Sequence, residues 1–566
     1  MISRLQAMSD MLRRLTRRWK LLTLRKLLYL PHVLSGREKR ALLFLVNIML
    51  ISSIGLGVRA YFFFTHPVPQ IGGSYSEGLI GVPRAINPLY PAKDAERDLA
   101  RLIFSGLLTY NGAGELEPDL AERYEVSDDG KIYDIFLRSN LYWHDGRQLD
   151  ADDVVFTIKR VQDPQYKSPL RPNWQGVEVE KVDSRTLRFT LRAPYAPFIE
   201  NLTQAIIPRH LWEKVSAEQA LLHELNLSPV GSGPYQLRRF EAQGDGSLLS
   251  YTLSRNPSYH RDGPYLKEIT LFFFASEDEM VAAWRRGEID GFAPISAASV
   301  ETLNHERVSV HTLSTPRIFS LFFNPHESPI LAEKNARTAI AHALDTTRIA
   351  ADAPAGGGIT ISSLLPSFRL ASTGEISRYA YDPEQSRTLL KQAGWKDEDG
   401  DGILEKKIRQ DRKTQIMPLR LTLSTSNWPE LSRASALIKN DLSAVGIEVT
   451  IQEKTLAELE SSVIRPRAFE LLLFGQVYGY EPDPFAFWHS SQAKDPGLNV
   501  ALFTNKKADK VLEEARSITD AAGRSEKYQE FARLAAEELP AIPLYTQLYL
   551  YLLPRNLQGV AVQKIS

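Results

Sequence analysis

At 566 residues, with 43% hydrophobic and 24% charged residues, the chain is too long for one compact core and too apolar for a disordered protein. Its formal net charge is zero, but residues 1–40 hold eleven Lys and Arg against two acidic residues, so residues 65–566 carry about −10. An acidic body argues against nucleic acid as a partner, because phosphate binding needs a basic face. The absence of cysteine excludes disulfides, thiolate metal sites and a lipid-modified cysteine anchor.

Residues 41–64 are an apolar run interrupted by few polar residues, among them Asn47 and Arg59. A helix of this length spans about 36 Å, enough to cross a hydrocarbon core of about 30 Å. Because the basic residues precede the run, the positive-inside rule predicts a transmembrane signal anchor, with residues 1–40 in the cytoplasm and the body outside. A cleaved signal peptide is the alternative. The run is longer than a usual signal core, and no small-x-small cleavage site follows it.

Residues 11–30, MLRRLTRRWKLLTLRKLLYL, interleave basic residues with Leu and Trp ahead of the anchor. This pattern is typical of a basic amphipathic helix lying on the anionic inner leaflet of a membrane. A plain basic tail that only enforces orientation explains the composition nearly as well. Both interpretations place the segment on the cytoplasmic side.

Residues 117–164 give the clearest local pattern in the body. The turn Ser127-Asp128-Asp129-Gly130 precedes residues 131–138, which are rich in β-branched and aromatic side chains and predict a strand. A second turn, HDG, leads to an acidic helix start at Asp150, followed by apolar residues near helical spacing. The pattern predicts a hairpin that feeds a helix.

Further α/β units follow along the chain. Residues 186–192 alternate polar and apolar side chains, as a strand with one wet face does. Residues 269–292 predict a strand, a helix that begins at Ser276 and ends at Gly287, and a second strand. Residues 381–394 predict a helix with Asp382 as N-cap, and residues 431–451 predict a helix followed by a strand.

Within residues 117–164, the segments PDLAERYEVSDDGKIYDIFLR and WHDGRQLDADDVVFTIKRV resemble the signature region of the family 5 solute-binding proteins. These are the dipeptide-, oligopeptide- and nickel-binding receptors of ABC importers. PVGSGPYQL, TPRIFSLFFNP and the final RSEKYQEFARLAAEELPAIPLYTQLYLYLL resemble other parts of the family, so the likeness covers residues 72–560. It implies an α/β, two-lobed periplasmic-binding-protein-like fold of class II, large cluster C type. The expected first lobe is residues 65–315, the second lobe 316–540, and residues 541–566 return to the first lobe.

Residues 397–403, DEDGDGI, match the front of a calcium loop, in which carboxylate oxygens at alternate positions converge on one cation. The bidentate Glu expected at position 12 is missing, because Ile408 occupies that place. The candidate ligands are Asp397, Asp399, Asp401, Ile403 and Glu405. An acidic, glycine-rich surface loop is the simpler alternative. No cofactor is required by the sequence, and calcium is the one that it suggests.

The resemblance places the ligand cleft at residues 475–490, GQVYGYEPDPFAFWHS. In the family's peptide receptors an aspartate before an acidic-Pro motif anchors the amino group of the peptide, and alignment on Glu481-Pro482 puts Tyr478 there. An aromatic-lined cleft is therefore expected, with Phe485 and Phe487 as core residues and His489 as a structural histidine rather than a metal ligand. The expected ligand-binding residues are Tyr478, Tyr480, Asp483, Trp488, Asn324 and Asn499.

Signals of enzymology such as G-x-S-x-G, H-E-x-x-H and a Walker A motif are absent, so an enzyme is the least favoured class. The resemblance implies a membrane-anchored receptor that binds an oligopeptide or another small solute and works with an ABC permease and ATPase. A sensor or envelope-binding protein on the same fold, without transport, is the alternative.

Overall fold

The computed structural model describes residues 34–65, 68–90, 94–244, 247–303, 308–315, 317–366, 379–410, 413–479 and 483–560. The chain divides into two units, residues 1–70 and residues 71–566. In the first unit, helix α1 spans Gly36–Phe64, and none of its residues is buried. Glu38 caps its start by accepting hydrogen bonds from the backbone N–H and the hydroxyl of Ser35. The helix therefore begins five residues before the predicted residue 41. The amphipathic segment predicted at residues 11–30 lies outside the described residues.

The second unit contains two lobes. The first lobe is built from part of the large sheet, a four-stranded sheet, a two-stranded sheet and the helices that cover them. Its strands are β1 (Gly72–Ile80), β2 (Leu108–Tyr110), β3 (Leu116–Pro118), β4 (Ala121–Val126), β5 (Ile132–Leu137), β6 (Val177–Lys181), β7 (Thr186–Leu191), β8 (Tyr235–Ala242), β9 (Leu248–Arg255), β10 (Leu266–Phe274), β11 (Gly291–Ala293) and β12 (Val308–Ser314). Its helices are α2 (Asp94–Ile103), α3 (Ala151–Gln162), α4 (Arg171–Trp174), α5 (Phe198–Asn201), α6 (Arg209–Trp212), α7 (Ala217–Ala220), α8 (Glu277–Arg286) and α9 (Ala297–Glu301).

The second lobe follows the same α/β principle. Its strands are β13 (Arg317–Phe323), β14 (Gly358–Thr360), β15 (Glu405–Gln410), β16 (Lys413–Pro418), β17 (Arg420–Ser426), β18 (Glu448–Lys454) and β19 (Leu471–Val477). Its helices are α10 (Pro329–Ala332), α11 (Lys334–Ala343), α12 (Thr346–Asp352), α13 (Pro383–Gln392), α14 (Pro429–Ser443), α15 (Leu456–Leu459), α16 (Phe485–Trp488), α17 (Lys506–Ser517) and α18 (Ala521–Glu538).

The last described strand, β20 (Ala541–Pro554), joins the two lobes. One large sheet runs in the order β18-β17-β19-β13-β20-β11-β1-β10-β9-β8, so β20 stands between second-lobe and first-lobe strands. Its first half pairs with β13 and β14, and its second half pairs with β12 and β11. The pairing changes lobes between Gln547 and Leu548. The return to the first lobe, predicted from residue 541, thus begins about midway along the strand.

The local predictions for the body are confirmed where capping chemistry carried them. Asp150 begins α3 by accepting the backbone N–H of Asp152, while the Asp153 carboxylate accepts that of Asp150. Helix α8 spans the predicted residues and ends at Gly287, which has a left-handed φ of 74°. Asp382 caps α13 by accepting the backbone N–H of Gln385. Short-range hydrogen bonds of this kind are readable from sequence because both partners lie within one turn.

The HDG turn of the signature region packs against the PVGSGPY turn. The His144 imidazole Nδ1 accepts the backbone N–H of Gly231 at 3.1 Å, and burial lowers the pKa of this histidine to about 4. A β-carbon at Gly231 or Gly233 would collide with the backbone carbonyl of Ile103 at the end of α2. These two family-like motifs therefore hold the first lobe together, and glycine is required at both positions by close backbone approach.

Candidate ligand-binding cleft

The candidate cleft lies where strand β20 passes from the second lobe to the first. On one face of this strand, the Gln547 amide donates to Glu430 of second-lobe helix α14 at 3.1 Å. Two residues further along the same face, Tyr549 lies within the electrostatic influence of Asp98 on first-lobe helix α2 and of Glu77 on β1. Because alternate residues of a strand share a face, Gln547 and Tyr549 lie on the same side of β20. That side is next to the second lobe at Gln547 and next to the first lobe at Tyr549. It forms the floor of the candidate cleft.

Two carboxyl groups of the first lobe lie at this floor with raised pKa values. Burial raises the pKa of Glu77 to about 7; the charge of Asp98 adds to the shift, and the Tyr551 hydroxyl opposes it. Burial also raises the pKa of Asp98, against the effect of Arg101 and Arg97. Both side chains keep solvent-accessible surface, as groups in a concave site open to water do. Desolvation disfavours the charged form, so each carboxylate is poised to gain from a positively charged partner.

The lobes meet again where an ion pair of the second lobe accepts hydrogen bonds from the first lobe, a group of residues here called the inter-lobe clasp. It consists of Tyr195 from the first lobe with Asp483 and Arg516 from the second. The Arg516 guanidinium Nε donates to both oxygens of Asp483, at 3.1 and 3.0 Å, and the Tyr195 hydroxyl donates to the same carboxylate at 3.2 Å. The backbone N–H of Ala196 also donates to the carbonyl of Arg516 at 2.8 Å. Asp483, predicted to bind ligand, is occupied by the clasp.

A second inter-lobe approach lies beside the clasp. The Tyr110 hydroxyl donates to Glu200 on helix α5, and a β-carbon placed on Gly479 would lie 2.9 Å from the Glu200 carboxylate. Glycine at 479 therefore lets this first-lobe carboxylate come close to second-lobe backbone. The two approaches together bring residues 195–200 against the aromatic segment, residues 475–490.

Two aromatic side chains of this segment, Tyr478 and Trp488, are directed into the second lobe. Tyr478 is 1% exposed, and its hydroxyl donates to the Leu364 carbonyl at 3.0 Å and accepts the Trp488 indole N–H at 2.9 Å. Trp488 is fully buried and lies beside Phe322, with ring centroids 6.1 Å apart. Both side chains pack inside the second lobe in this structure, and their role in ligand binding stays a prediction. Tyr480, also predicted as a ligand residue, lies outside the described residues together with Glu481 and Pro482.

The two predicted asparagines are buried and structural as well. The Asn324 amide donates to the Arg467 carbonyl at 2.8 Å, and its side-chain oxygen accepts the backbone N–H of His326. The Asn499 amide donates to the Phe503 carbonyl at 2.9 Å and accepts the backbone N–H of the same residue. Both side chains satisfy backbone groups of loops, and their role in ligand binding stays a prediction.

The acidic loop of the second lobe keeps part of the predicted calcium geometry. Oxygens of Asp397, Asp399 and Glu405 lie within 4.8 Å of one another. The Asp397 carboxylate accepts the backbone N–H groups of Gly400 and Gly402, while Asp401 accepts that of Ile403. Asx turns of this kind hold the loop without a cation, and an ion is a further possibility that the geometry permits. Calcium binding stays a prediction.

The polar floor of the candidate cleft is not among the sites predicted from the sequence. The alternation Leu548-Tyr549-Leu550-Tyr551-Leu552 separates an apolar face from a tyrosine-bearing one. That alternation was the available signal. The acids that meet the tyrosines lie near the other end of the chain, where nothing local marks them.

A fold of two α/β lobes joined by crossing strands, with a polar groove between them, defines the class of extracytoplasmic solute-binding proteins. A family model for "Bacterial extracellular solute-binding proteins, family 5 Middle" matches residues 115–497, about two thirds of the chain. The chain belongs to this family.

Individual relatives agree with the assignment. The oligopeptide-binding protein AppA of Bacillus subtilis is 28% identical over 503 residues, covering 87% of this chain and 89% of AppA. The dipeptide-binding protein of Escherichia coli is 26% identical over 491 residues, covering 82% of this chain and 87% of the relative. The solved structure of B. subtilis AppA with a nonapeptide has a TM-score of 0.67 at 26% identity, covering 88% of this chain and all of that one. The two-lobed fold predicted from the sequence is thereby confirmed.

Proposed function

We propose that this protein is a membrane-anchored extracytoplasmic receptor that captures peptide-like solutes between its lobes and presents them to an ABC importer. The observation that carries the proposal is the pair of connections between the lobes, the shared strand β20 and the clasp of Tyr195, Asp483 and Arg516. A solute that lies over β20 is enclosed when the clasp forms, and hinge closure around a ligand is the usual mode of such receptors. Affinity then comes from burying the solute between two preformed surfaces.

The peptide class rests on the relatives. The similar proteins named above are described as oligopeptide- and dipeptide-binding, and the AppA structure holds a nonapeptide. In this chain Tyr478 is turned into the core, so recognition of a peptide falls to other groups of the groove. Backbone hydrogen bonds supply affinity for many sequences, and side chains at the floor supply preference.

Helix α1 supports the membrane anchor. It has 29 residues, and its most apolar 18-residue stretch has a mean hydropathy of 2.3, so it is long and apolar enough to cross a membrane. The basic residues 1–40 precede it, so the cytoplasmic side is assigned to the N-terminus and the body to the outside. The permease and ATPase partners are part of the proposal through the family alone.

The ligand test is mass spectrometry of compounds that co-purify with the full-length protein in lipid nanodiscs. We expect a ladder of short peptides, because two lobes that close over a groove accept a range of lengths. A single defined non-peptide compound would overturn the peptide class while leaving the receptor fold intact. Refilling the emptied protein with the same compounds, measured by calorimetry, distinguishes a bound ligand from a contaminant.

The anchor and the importer are tested in cells. With an epitope at each end, protease added outside should remove the C-terminal epitope and leave the N-terminal one protected. Mature protein that begins near residue 65 would contradict the anchor. Crosslinking from the body should recover a permease with its ATPase; recovery of neither, with peptide binding intact, favours the sensor or envelope-binding alternative.

A further inference from the structure

One patch of the cleft floor, here called the acid–tyrosine face, combines groups that the proposed function does not yet use. Its members are Tyr75, Glu77, Asp98, Tyr549 and Tyr551. Strand register fixes their arrangement: Gly78 pairs with Phe292 of β11, which pairs with Leu552 of β20. Gly78, Phe292 and Leu552 therefore lie on one face of the sheet, and their neighbours in sequence lie on the other face. Glu77 and Tyr551 share that other face. Helix α2 places Asp98 against this face.

The two acids of this face have no ionic partner. Among the described residues, neither Glu77 nor Asp98 forms an ion pair within 4 Å, although ion pairs are frequent elsewhere in the body. Arg101 and Arg97 on α2 act on the charge of Asp98, and Arg317 at the start of β13 acts on that of Arg97. Arg97 is engaged by Asp94 of its own helix. The pKa values of both acids still lie above the usual range. The cations nearby therefore do not fully balance the negative charge of this face.

An unsatisfied hydroxyl points to a ligand independently of the acids. Tyr75 is 6% exposed, and its hydroxyl makes no hydrogen bond within 3.5 Å among the described residues, although the Tyr551 hydroxyl lies near enough to lower its pKa. It lies over Gly291, where a β-carbon would collide with it, and the charge of Glu77 raises its pKa further after burial has done so. A buried hydroxyl without a partner costs free energy, which native proteins tolerate chiefly where a ligand or water completes the site. Gly291 leaves the strand between β1 and β20 without a side chain at this point.

We propose that Glu77 and Asp98, framed by the tyrosines of β1 and β20, form a subsite for the ammonium or guanidinium group of a cationic side chain on the captured peptide. A cation there neutralises two carboxylates that have no other ionic partner. The aromatic faces of the tyrosines favour the same charge, and their hydroxyl oxygens accept its hydrogen bonds. The subsite rests on the proposed function, because it names the peptides that the groove prefers.

The first experiment offers the full-length protein in nanodiscs a degenerate synthetic pool of tri- to nonapeptides, and mass spectrometry reads the captured fraction. We expect Lys and Arg to be enriched about threefold or more over the input. Glu77→Gln and Asp98→Asn should each abolish most of the enrichment while the amount of captured peptide stays similar. Asp98 is exposed, so its variant remains informative if Glu77→Gln perturbs folding. Glu122→Gln, an exposed acid on β4, is the matched control and should keep the enrichment.

The second experiment measures, by calorimetry, one captured lysine peptide against the same peptide with norleucine in place of lysine. At about pH 8 we expect the lysine peptide to bind about tenfold more tightly, and at about pH 6 the preference should shrink because Glu77 takes up a proton. The ratio of the two constants cancels titration of the shared peptide amino terminus. In Glu77→Gln the ratio should be smaller and nearly independent of pH.

The outcomes separate the subsite from the function that it rests on. Capture of no peptide from the pool contradicts the proposed peptide receptor and the subsite with it. Capture without enrichment of Lys and Arg, or enrichment that survives both variants, contradicts the subsite alone. A parallel loss of both lysine and norleucine peptides in the variants shows a structural role and also overturns the proposal.

Discussion

The aromatic segment of the second lobe and the acid–tyrosine face of the first have similar aromatic content and opposite uses. In residues 475–490, Tyr478 and Trp488 hydrogen-bond to each other inside the lobe, so their polar atoms are already satisfied. On the acid–tyrosine face, Tyr549 and Tyr551 are half-buried beside carboxyl groups that form no ion pair with any described residue. The contrast teaches that aromatic composition alone does not mark a ligand site. Polar groups beside the rings that lack partners are the better sign of one.

The largest expected effect is a loss of folding stability when the aromatic segment is altered. Tyr478→Asp places a carboxylate without a counterion in a site that is 1% exposed, which should cost about 3–5 kcal/mol of folding stability. Alignment with peptide receptors suggests instead that this change restores an amine anchor and tightens peptide binding. Thermal unfolding and calorimetry decide between the two expectations. Tyr478→Phe is the control and should lose only about 1–2 kcal/mol, because the hydroxyl bonds to Leu364 and Trp488 disappear. A stable Tyr478→Asp protein with tighter peptide binding would show that the aromatic segment contacts the ligand.

The next effect concerns the acid–tyrosine face and the pH dependence of stability through Glu77. The folded protein holds the pKa of Glu77 at about 7, above the unfolded value near 4.5, so the folded state binds the proton more tightly. Stability linked to this proton is present below the unfolded pKa and is lost as the pH rises through 7. Without ligand, Glu77→Gln should therefore be more stable than the unaltered protein at about pH 8, by about 2 kcal/mol, with little difference at about pH 4.

Melting temperatures across this range, with Glu122→Gln beside them, provide the measurement. A Glu77→Gln protein that is less stable at alkaline pH would mean that the carboxylate is well compensated, and the acid–tyrosine face would then resemble the aromatic segment.

A smaller effect is expected at the clasp that joins the two regions. Tyr195→Phe removes the hydroxyl that donates to Asp483 across the lobes at 3.2 Å, worth about 1 kcal/mol or about fivefold in peptide affinity. Tyr259→Phe is a matched control, because Tyr259 donates to the Asp119 carboxylate at 3.3 Å within the first lobe. Affinity from calorimetry and lobe separation from scattering should change in Tyr195→Phe only. Equal changes of affinity and lobe separation in both variants would show that the clasp stabilises the fold without controlling closure of the lobes.

The smallest effect concerns the acidic loop, a second set of carboxylates whose partner is in question. If the loop binds calcium with the weak affinity of extracellular modules, about 1 mM calcium stabilises the protein by about 1 kcal/mol or less. Asp399→Asn should remove this increment, whereas Asp128→Asn in the turn of the first lobe should keep it. An unchanged melting temperature with calcium in the unaltered protein would leave the loop held by its Asx turns alone.

Much of the fold could be predicted because its signals are local. The cap at Asp150, the capping pattern at Ser276 and the N-cap at Asp382 each involve partners within a few residues. The resemblance of residues 117–164 to the family extended these local signals to the whole body. The glycines of PVGSGPY were readable only as turn formers, because the Ile103 carbonyl that excludes a β-carbon lies far back in the chain.

The candidate site could not be predicted in the same way. A sequence motif shows that Tyr478 stands where an anchor would, but not that its side chain turns inward to Leu364 and Trp488. Glu77 lies before a glycine in an otherwise ordinary strand, and its neighbours on β20 are almost at the other end of the chain. Which face of a strand becomes the floor of a cleft is decided by the packing of helices α2 and α14, which is tertiary information.

Strand β20 also bears on how the protein is made. It is the last described element of the chain, yet it stands in the middle of the large sheet, between second-lobe and first-lobe strands. Until residues 541–554 emerge, neither lobe has its full sheet, and the two halves lack the strand that unites them. An N-terminal-first folding order, usual for multidomain chains, is thereby delayed. The body therefore stays incompletely folded until β20 has been made and can enter the sheet between the strands of the two lobes.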